Sequence, residues 1–88
     1  MRKLNIGSVR VAMFAMRYKM IGLKIAYYRK MRCYTQGQLA SKIGISATYL
    51  GQIERGNNGK SYSLETLLSI AGGLDIDVNL LLNNSEKI

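Results

Sequence analysis

Residues 35–56 read TQGQLASKIGISATYLGQIERG, and this stretch decides the fold. Thr35 and Ser46 are typical helix-starting residues, because their short side-chain oxygens accept hydrogen bonds from the free N–H groups of a first helical turn. Gly44 stands between them, where a left-handed residue ends a helix. Apolar residues follow each start at helical intervals, at Leu39, Ala40 and Ile43 and then at Leu50 and Ile53. The stretch therefore predicts two short helices joined by a tight turn.

Two helices in this arrangement are the layout of a DNA-binding helix-turn-helix, whose second helix enters the major groove. The sequence also resembles the phage-repressor/Cro-like, XRE-type family over roughly residues 20 to 82. The residues that carry the resemblance are 35–36, 39–40, 44–46, 52–56, 63–68, 70–71 and 80–81. The resemblance implies an all-α, five-helix, lambda-repressor-like domain with the helix-turn-helix at helices 2 and 3.

The chain divides into an N-terminal extension (1–18), a helix-turn-helix DNA-binding domain (19–82) and a C-terminus (83–88) that we expect to be frayed. The extension lies outside the resemblance. Apolar residues alternate over 9–15 as in a strand, yet residues 12–20 equally suit an extension of the next helix. Three interpretations of the extension stay open: a DNA-gripping arm, a dimerisation element, or residues that precede the natural start.

Three more helices complete the predicted fold. The first spans about residues 20–31 and buries Ile21, Ile25 and Tyr28, with Lys24 on its solvated face. The fourth begins at Ser63 and buries an apolar row, namely Leu64, Leu67, Ile70, Ala71 and Leu74. The fifth runs over residues 78–82, and Asp77 is expected to cap it.

The charge distribution of the 88 residues indicates a polyanionic partner. The net charge is +8, and residues 1–32 contain nine basic residues and no acidic residue. Nucleic acid and an anionic membrane surface both fit such a segment. No apolar run approaches the roughly 18 residues that a membrane-spanning helix needs. We therefore expect one small domain that binds a polyanion and does not span a membrane.

The residue types also argue against enzymatic function. The chain has no histidine, and its single cysteine, Cys33, excludes an internal disulfide and a cysteine-based zinc site. Residues 59–61 read GKS, but a nucleotide-binding loop of the form GxxxxGK[ST] needs a glycine five positions before Gly59, where Glu54 stands. We expect no catalysis, no cofactor and no metal, and a reducing cytoplasm as the compartment.

The second helix of the motif carries the candidate base readers. Its outward positions are expected to be Ala47, Thr48, Gly51 and Gln52, flanked by Tyr49 and Arg55. Gln52 can pair with N6 and N7 of adenine, which is worth about 1–3 kcal/mol of discrimination. Thr48 can donate, accept or pack its methyl group on thymine. Ala47 offers an apolar contact, and Gly51 offers close approach.

Phosphate contacts are expected at helix starts, where free N–H groups and the helix dipole attract anions. The candidates are Gln36 and Ser46 at the two starts, Tyr49 on the flank, Asn57, Asn58 and Lys60 in the following loop, and Lys30 and Arg32 on the first helix. A purely structural role in capping the helix is the alternative to phosphate contact for both Gln36 and Ser46.

The resemblance further implies a structural ion pair between Arg29 in the first helix and Glu54 near the end of the third. A partly buried pair of this kind orders a domain more than it adds net stability. On this interpretation Arg29 does not contact DNA.

A homodimeric, sequence-specific transcriptional regulator explains these features best. It would bind double-stranded DNA at a roughly palindromic operator, most simply as a repressor. A restriction–modification controller or an antitoxin-type autoregulator would use the same chemistry. A protein-interaction module, whose basic N-terminus binds an acidic partner, is the alternative from another class. The expected dimer contacts lie on helix five and its flanks, at Leu81, Leu82 and Ile88, or else in the N-terminal segment.

Overall fold

The computed structural model describes residues 6–56 and 61–83, with side chains from residue 13 onward. Within these ranges the chain forms five α-helices and no strand: α1 (Ile6–Met31), α2 (Gln36–Ile43), α3 (Ala47–Glu54), α4 (Leu64–Leu74) and α5 (Asn79–Leu82). The all-α fold with a helix-turn-helix at α2 and α3 is therefore confirmed. None of the helices in the described ranges is long and apolar enough to cross a bilayer.

Side-chain caps define where the short helices begin. The Thr35 hydroxyl accepts a hydrogen bond from the Gln38 N–H at 3.0 Å, and the Gln38 side chain accepts one from the Thr35 N–H at 2.8 Å, which closes a capping box. Ser46 accepts from the Tyr49 N–H at 3.0 Å, and Ser63 accepts from the Thr66 N–H at 3.1 Å. These serine and threonine caps lie where the sequence places them.

The core lies where all five helices meet. Its fully buried large side chains are Ile25, Leu39, Leu50, Ile53, Ile70, Leu74 and Leu81. Because α2 and α3 bury their apolar residues against α1 and α4, the outer surface of the helix-turn-helix stays accessible. The core therefore fixes the angle at which α3 is presented.

The first helix is longer than the predicted span of about residues 20–31, and it agrees with the helical alternative for residues 12–20. It has 26 residues and begins at Ile6, so residues 6–20 continue the helix and do not form a strand. The last residues of the predicted extension also contact the domain: an Arg17 guanidinium nitrogen donates to the Leu82 carbonyl at 3.1 Å, and the Tyr18 ring lies 5.2 Å from that of Tyr62. The end of the extension is thus tied to the domain.

Two basic residues, one in α1 and one just after it, donate hydrogen bonds to carbonyls at helix ends. Lys24 was expected on a solvated face, but it is only 4% exposed and its ammonium donates to the Asn83 carbonyl beyond α5. Arg32, a predicted phosphate contact, donates to the Leu74 carbonyl at 2.9 Å and to the Asp75 carbonyl at 3.2 Å. The prediction for Lys24 is wrong because cations also stabilise the unpaired carbonyls at helix C-termini. Arg32 stays exposed, and its phosphate contact stays a prediction.

Two leucines lie on the opposite side from the one predicted. Leu64, expected in the core, is exposed at the first position of α4. Leu81, expected at a dimer surface, is buried and cannot serve there without unpacking α5. Leu82 is half-buried against the core, and Ile88 lies outside the described residues. Of the three proposed dimer contacts, Leu81 is therefore withdrawn.

The last helix begins one residue later than expected. Val78 is its N-cap and makes no side-chain cap bond. Asp77 nevertheless accepts a hydrogen bond from the Asn79 N–H at 2.8 Å. Asp77 therefore stabilises the start of α5 from the position before the N-cap, whereas the sequence predicts it as the N-cap itself.

The exit of α1 is strained at Cys33. This residue has a φ of 62°, in the left-handed region, and its side chain is exposed. Gly44 ends α2 in the same region, at a φ of 79°, without a Cβ atom. Because the left-handed region costs a residue with a Cβ about 1–2 kcal/mol, the α1 exit is the less relaxed of these two helix ends.

Replacing Cys33 with glycine is expected to stabilise the domain. The strain relief is offset in part by the greater backbone freedom of unfolded glycine, so the free energy of unfolding should rise by about 0.5–1 kcal/mol. Urea unfolding measures this change. Cys33→Ser is the control, since it keeps the Cβ and should leave stability near wild type. Equal stability of the two variants would show that the backbone there is not strained.

Candidate nucleic-acid interface

The outer face of α3 presents a row of small and medium-sized polar and apolar side chains. Ala47, Thr48 and Gln52 are exposed, and Tyr49 is half-buried against the core. The opposite face is held by Leu50 and Ile53, which are fully buried. The buried face of α3 therefore holds this row in a fixed position. Its members are among the residues that the sequence predicts to contact DNA bases and the adjoining phosphates.

Gly51 does not belong to this outer row. It is buried, and a Cβ added there would lie 3.3 Å from the Gln36 side-chain oxygen and 3.3 Å from a guanidinium nitrogen of Arg55. The glycine makes room for these two side chains within the protein. The prediction that Gly51 faces outward, for close approach to DNA, is therefore wrong.

A buried ion pair fixes α3 to α1. The Arg29 Nε donates to Glu54 Oε2 at 2.6 Å, and Nη2 donates to Glu54 Oε1 at 3.0 Å, so the guanidinium binds the carboxylate in a two-point contact. The Arg29 Nη1 also donates to the Tyr34 carbonyl at 2.8 Å. The structure thus shows the pair that the family resemblance implies, buried and with each of the three guanidinium nitrogens of Arg29 donating a hydrogen bond.

Gln36 joins the same network from the start of α2. Its amide nitrogen donates to Glu54 Oε1 at 2.9 Å. The carboxylate therefore accepts hydrogen bonds from α1 and α2 while it belongs to α3. This contact, which the sequence did not reveal, sets the position of the α2 start relative to α3.

The other predicted phosphate contacts are distributed around this unit. Ser46 is exposed and caps α3, while Gln36 is half-buried at the first position of α2. Lys30 is exposed on α1. Asn57, Asn58 and Lys60 lie outside the described residues. Within the described part, Gln36 meets α3 beside Gly51 and Glu54.

Where the chain leaves the loop that follows α3, it makes an aromatic contact with α1. Tyr62 packs on Tyr18 with ring centroids 5.2 Å apart, and its hydroxyl is buried without a hydrogen-bond partner in the described residues. Burial raises the pKa of Tyr62 to about 12, so this phenol stays neutral at physiological pH. The contact anchors the downstream end of the loop to α1.

Gly22 is a structural residue that the sequence analysis missed. A Cβ there would lie 2.5 Å from the Ile53 carbonyl oxygen, 2.8 Å from the Glu54 carbonyl carbon, and closest to the Glu54 carbonyl oxygen. Only a glycine allows α1 to pass this close to the end of α3. An isolated glycine on the buried side of a helix was the available signal.

Most of the helical domain matches a family of known proteins. Residues 25–81 match the family model HTH_3, described as helix-turn-helix. The chain is 38% identical over 68 residues to the HTH-type transcriptional regulator SinR of Bacillus licheniformis, which covers 77% of this chain and 60% of SinR. It is 40% identical to the immunity repressor protein of Bacillus phage phi105, over 77% of this chain and 46% of that protein.

A solved structure shows the same fold. The clp gene regulator ClgR from C. glutamicum matches with a TM-score of 0.69 and 29% identity, over 75% of this chain and 83% of that one. The chain spans only about half to three fifths of the length of the regulators SinR and the phi105 repressor. The family match nevertheless includes α2, α3 and α4 in full. This chain therefore belongs to the phage-repressor/Cro-like, XRE-type helix-turn-helix family.

Proposed function

We propose that this chain is a sequence-specific DNA-binding transcriptional regulator of the repressor type. The exposed row of Ala47, Thr48 and Gln52 on α3 carries the proposal. These side chains are short enough to enter a major groove, and Gln52 and Thr48 supply the donors and acceptors that read base edges. The relatives named as a transcriptional regulator and an immunity repressor support the same function. A regulator of this kind acts in the cytoplasm and needs no catalytic group.

The Arg29–Glu54–Gln36 network supports this function by positioning α3. Because Glu54 accepts from both α1 and α2, the recognition helix cannot rotate without breaking buried charged hydrogen bonds. A fixed orientation matters, since each base contact depends on side-chain placement within a fraction of an ångström. We propose that Gln36 and Ser46, at the helix starts, and Tyr49 on the flank contact phosphates of the same groove. Asn57, Asn58 and Lys60 would add further phosphate contacts from the loop.

We further propose that two copies bind one operator. One recognition helix per copy would read two major-groove faces about one helical turn apart, which makes the operator roughly palindromic. With Leu81 buried, the exposed Leu80 and the half-buried Leu82 are the apolar side chains of α5 that remain for a contact between copies. This arrangement also doubles the number of base contacts, which are few in a single α3.

Selection of bound DNA from a random-sequence pool tests the proposed function. The expected result is enrichment of one motif with two related half-sites, bound by two copies of the chain in sedimentation of the complex. Binding without enrichment of any motif, or no DNA binding, would contradict sequence-specific regulation. Enrichment of a single half-site bound by one copy would contradict only the dimer.

A further inference from the structure

An exposed row of apolar side chains runs along α1, away from the core. Met13, Met16, Leu23 and Tyr27 are 60%, 69%, 54% and 39% exposed, and Met20 between them is half-buried. Their spacing alternates between three and four residues, which keeps all five on one face of the helix. These five residues are called the α1 stripe.

The α1 stripe lies opposite the side of α1 that packs on the domain. Ile21 and Ile25 enter the core from that other side, and Gly22 meets the backbone of α3 there. None of the five stripe residues belongs to the core or to the side chains packed against it in the described ranges. A row of large exposed apolar residues on one helix face marks an interaction site.

The width of the α1 stripe fits a single helix better than a membrane surface. At 100° per residue, the five positions fall within an arc of about 80°. Two apolar positions per heptad form the narrow seam of a coiled coil, whereas a helix that lies in a membrane surface has a broad apolar face opposite a charged one. Around Ile21, Gly22 and Ile25 the opposite face is covered by the protein itself. Phe14, which is 57% exposed, lies outside the arc of the stripe.

The charges beside the α1 stripe select the kind of helix that fits. Lys19 and Lys30 are exposed along one border, eleven residues apart and thus on the same side. Residues 1–32 contain no acidic residue. A second copy of α1 would bring like charges together, while glutamates in a partner helix would pair with these lysines, and such flanking pairs set partner choice in coiled coils.

From these observations we propose that the α1 stripe docks an acidic amphipathic helix of another protein. The apolar residues of that helix would pack between Met16, Met20 and Leu23, and its acidic border would face Lys19 and Lys30. This site is separate from the outer row of α3. It would allow a protein partner to control the regulator without occupying its DNA-reading face.

A designed peptide pair tests the proposal with the full chain. One probe is a synthetic helix about three heptads long with leucine at the seam and glutamate at both borders; the matched probe has lysine at the borders. Fluorescence anisotropy at low salt should show about tenfold tighter binding of the glutamate peptide. The variant Met16→Gln/Leu23→Gln should lose this binding and keep its affinity for the selected operator.

Charge reversal gives an independent check. Lys19→Glu/Lys30→Glu should prefer the lysine peptide, with circular dichroism confirming that each variant is folded. Equal affinity for the two peptides, or binding that survives loss of the α1 stripe, would overturn the proposal. Two other results would overturn it because they indicate another occupant. Self-association that Met16→Gln/Leu23→Gln abolishes would indicate a second copy of this chain. Tighter binding to vesicles containing phosphatidylserine than to the glutamate peptide would indicate a membrane surface.

Discussion

Replacing Glu54 with glutamine is expected to lower the free energy of unfolding by about 3–5 kcal/mol. The substitution leaves the buried Arg29 guanidinium without its counter-charge and disturbs the Gln36 contact. A domain of this size has a total stability of about 4–13 kcal/mol. The variant should therefore be partly unfolded near room temperature, and urea unfolding followed by circular dichroism measures the loss.

Glu65→Gln is the matched control for this prediction. Glu65 is exposed in the first turn of α4, so the same change of charge should cost at most about 1 kcal/mol, through the helix dipole. The double variant Arg29→Met/Glu54→Leu should recover much of the lost stability, because it leaves no unpaired charge in the core. A loss for Glu54→Gln as small as that for Glu65→Gln would show that the ion pair does not hold the domain together.

Replacing Gly22 with alanine is expected to destabilise the domain by about 2–3 kcal/mol. The added methyl group meets the carbonyls of Ile53 and Glu54, which are backbone atoms and cannot rotate away. The higher helix propensity of alanine, worth about 1 kcal/mol, offsets only part of this cost. Because the clash lies at the end of α3, the affinity for an operator should also fall.

Gly72→Ala separates this packing effect from helix propensity. Gly72 also lies within a helix, but a Cβ there would meet no atom within 4 Å. This substitution should therefore raise the free energy of unfolding by about 1 kcal/mol. Thermal and urea unfolding of both variants provide the comparison. A change of the same sign in the two variants would contradict the close contact between α1 and α3.

The sequence predicts the helix-turn-helix well because its signals are local. The capping side chains of Thr35 and Ser46 bond to N–H groups three residues away, and Gly44 ends α2 through its own φ angle. The positions of Arg29 and Glu54 followed from the family resemblance instead, since nothing within either helix indicates its partner. The assignment of the α3 row to DNA contact stays a prediction.

The wrong predictions share a physical cause, which is tertiary contact over long sequence separations. Lys24 looks like a surface cation, yet it is buried and donates to a backbone carbonyl 59 residues away. Gly51 looks like an exposed helix position, but Gln36 covers it from α2. Helical periodicity indicates which residues share a face of a helix, but it does not indicate which neighbouring element covers that face.

The length of α1 was left open for a related reason. An alternating apolar pattern can arise from a strand or from a helix that has two different faces with apolar residues. Here α1 has such faces: one holds Ile21 and Ile25 in the core, and the other is the α1 stripe. Apolar residues on two sides weaken the periodicity by which a helix is usually detected.

The coupling between Gln52 and one base pair of the selected operator tests the central claim most directly. Binding constants would be measured for wild type and Gln52→Ala, each with the selected operator and with a single adenine in its half-sites replaced. We predict that Gln52→Ala costs about 1–3 kcal/mol on the selected operator, roughly a 5- to 150-fold weaker affinity. It should cost almost nothing further once the adenine it reads is gone. Equal losses on both operators at every adenine tested would show that Gln52 does not read sequence, and would contradict recognition through α3 as described.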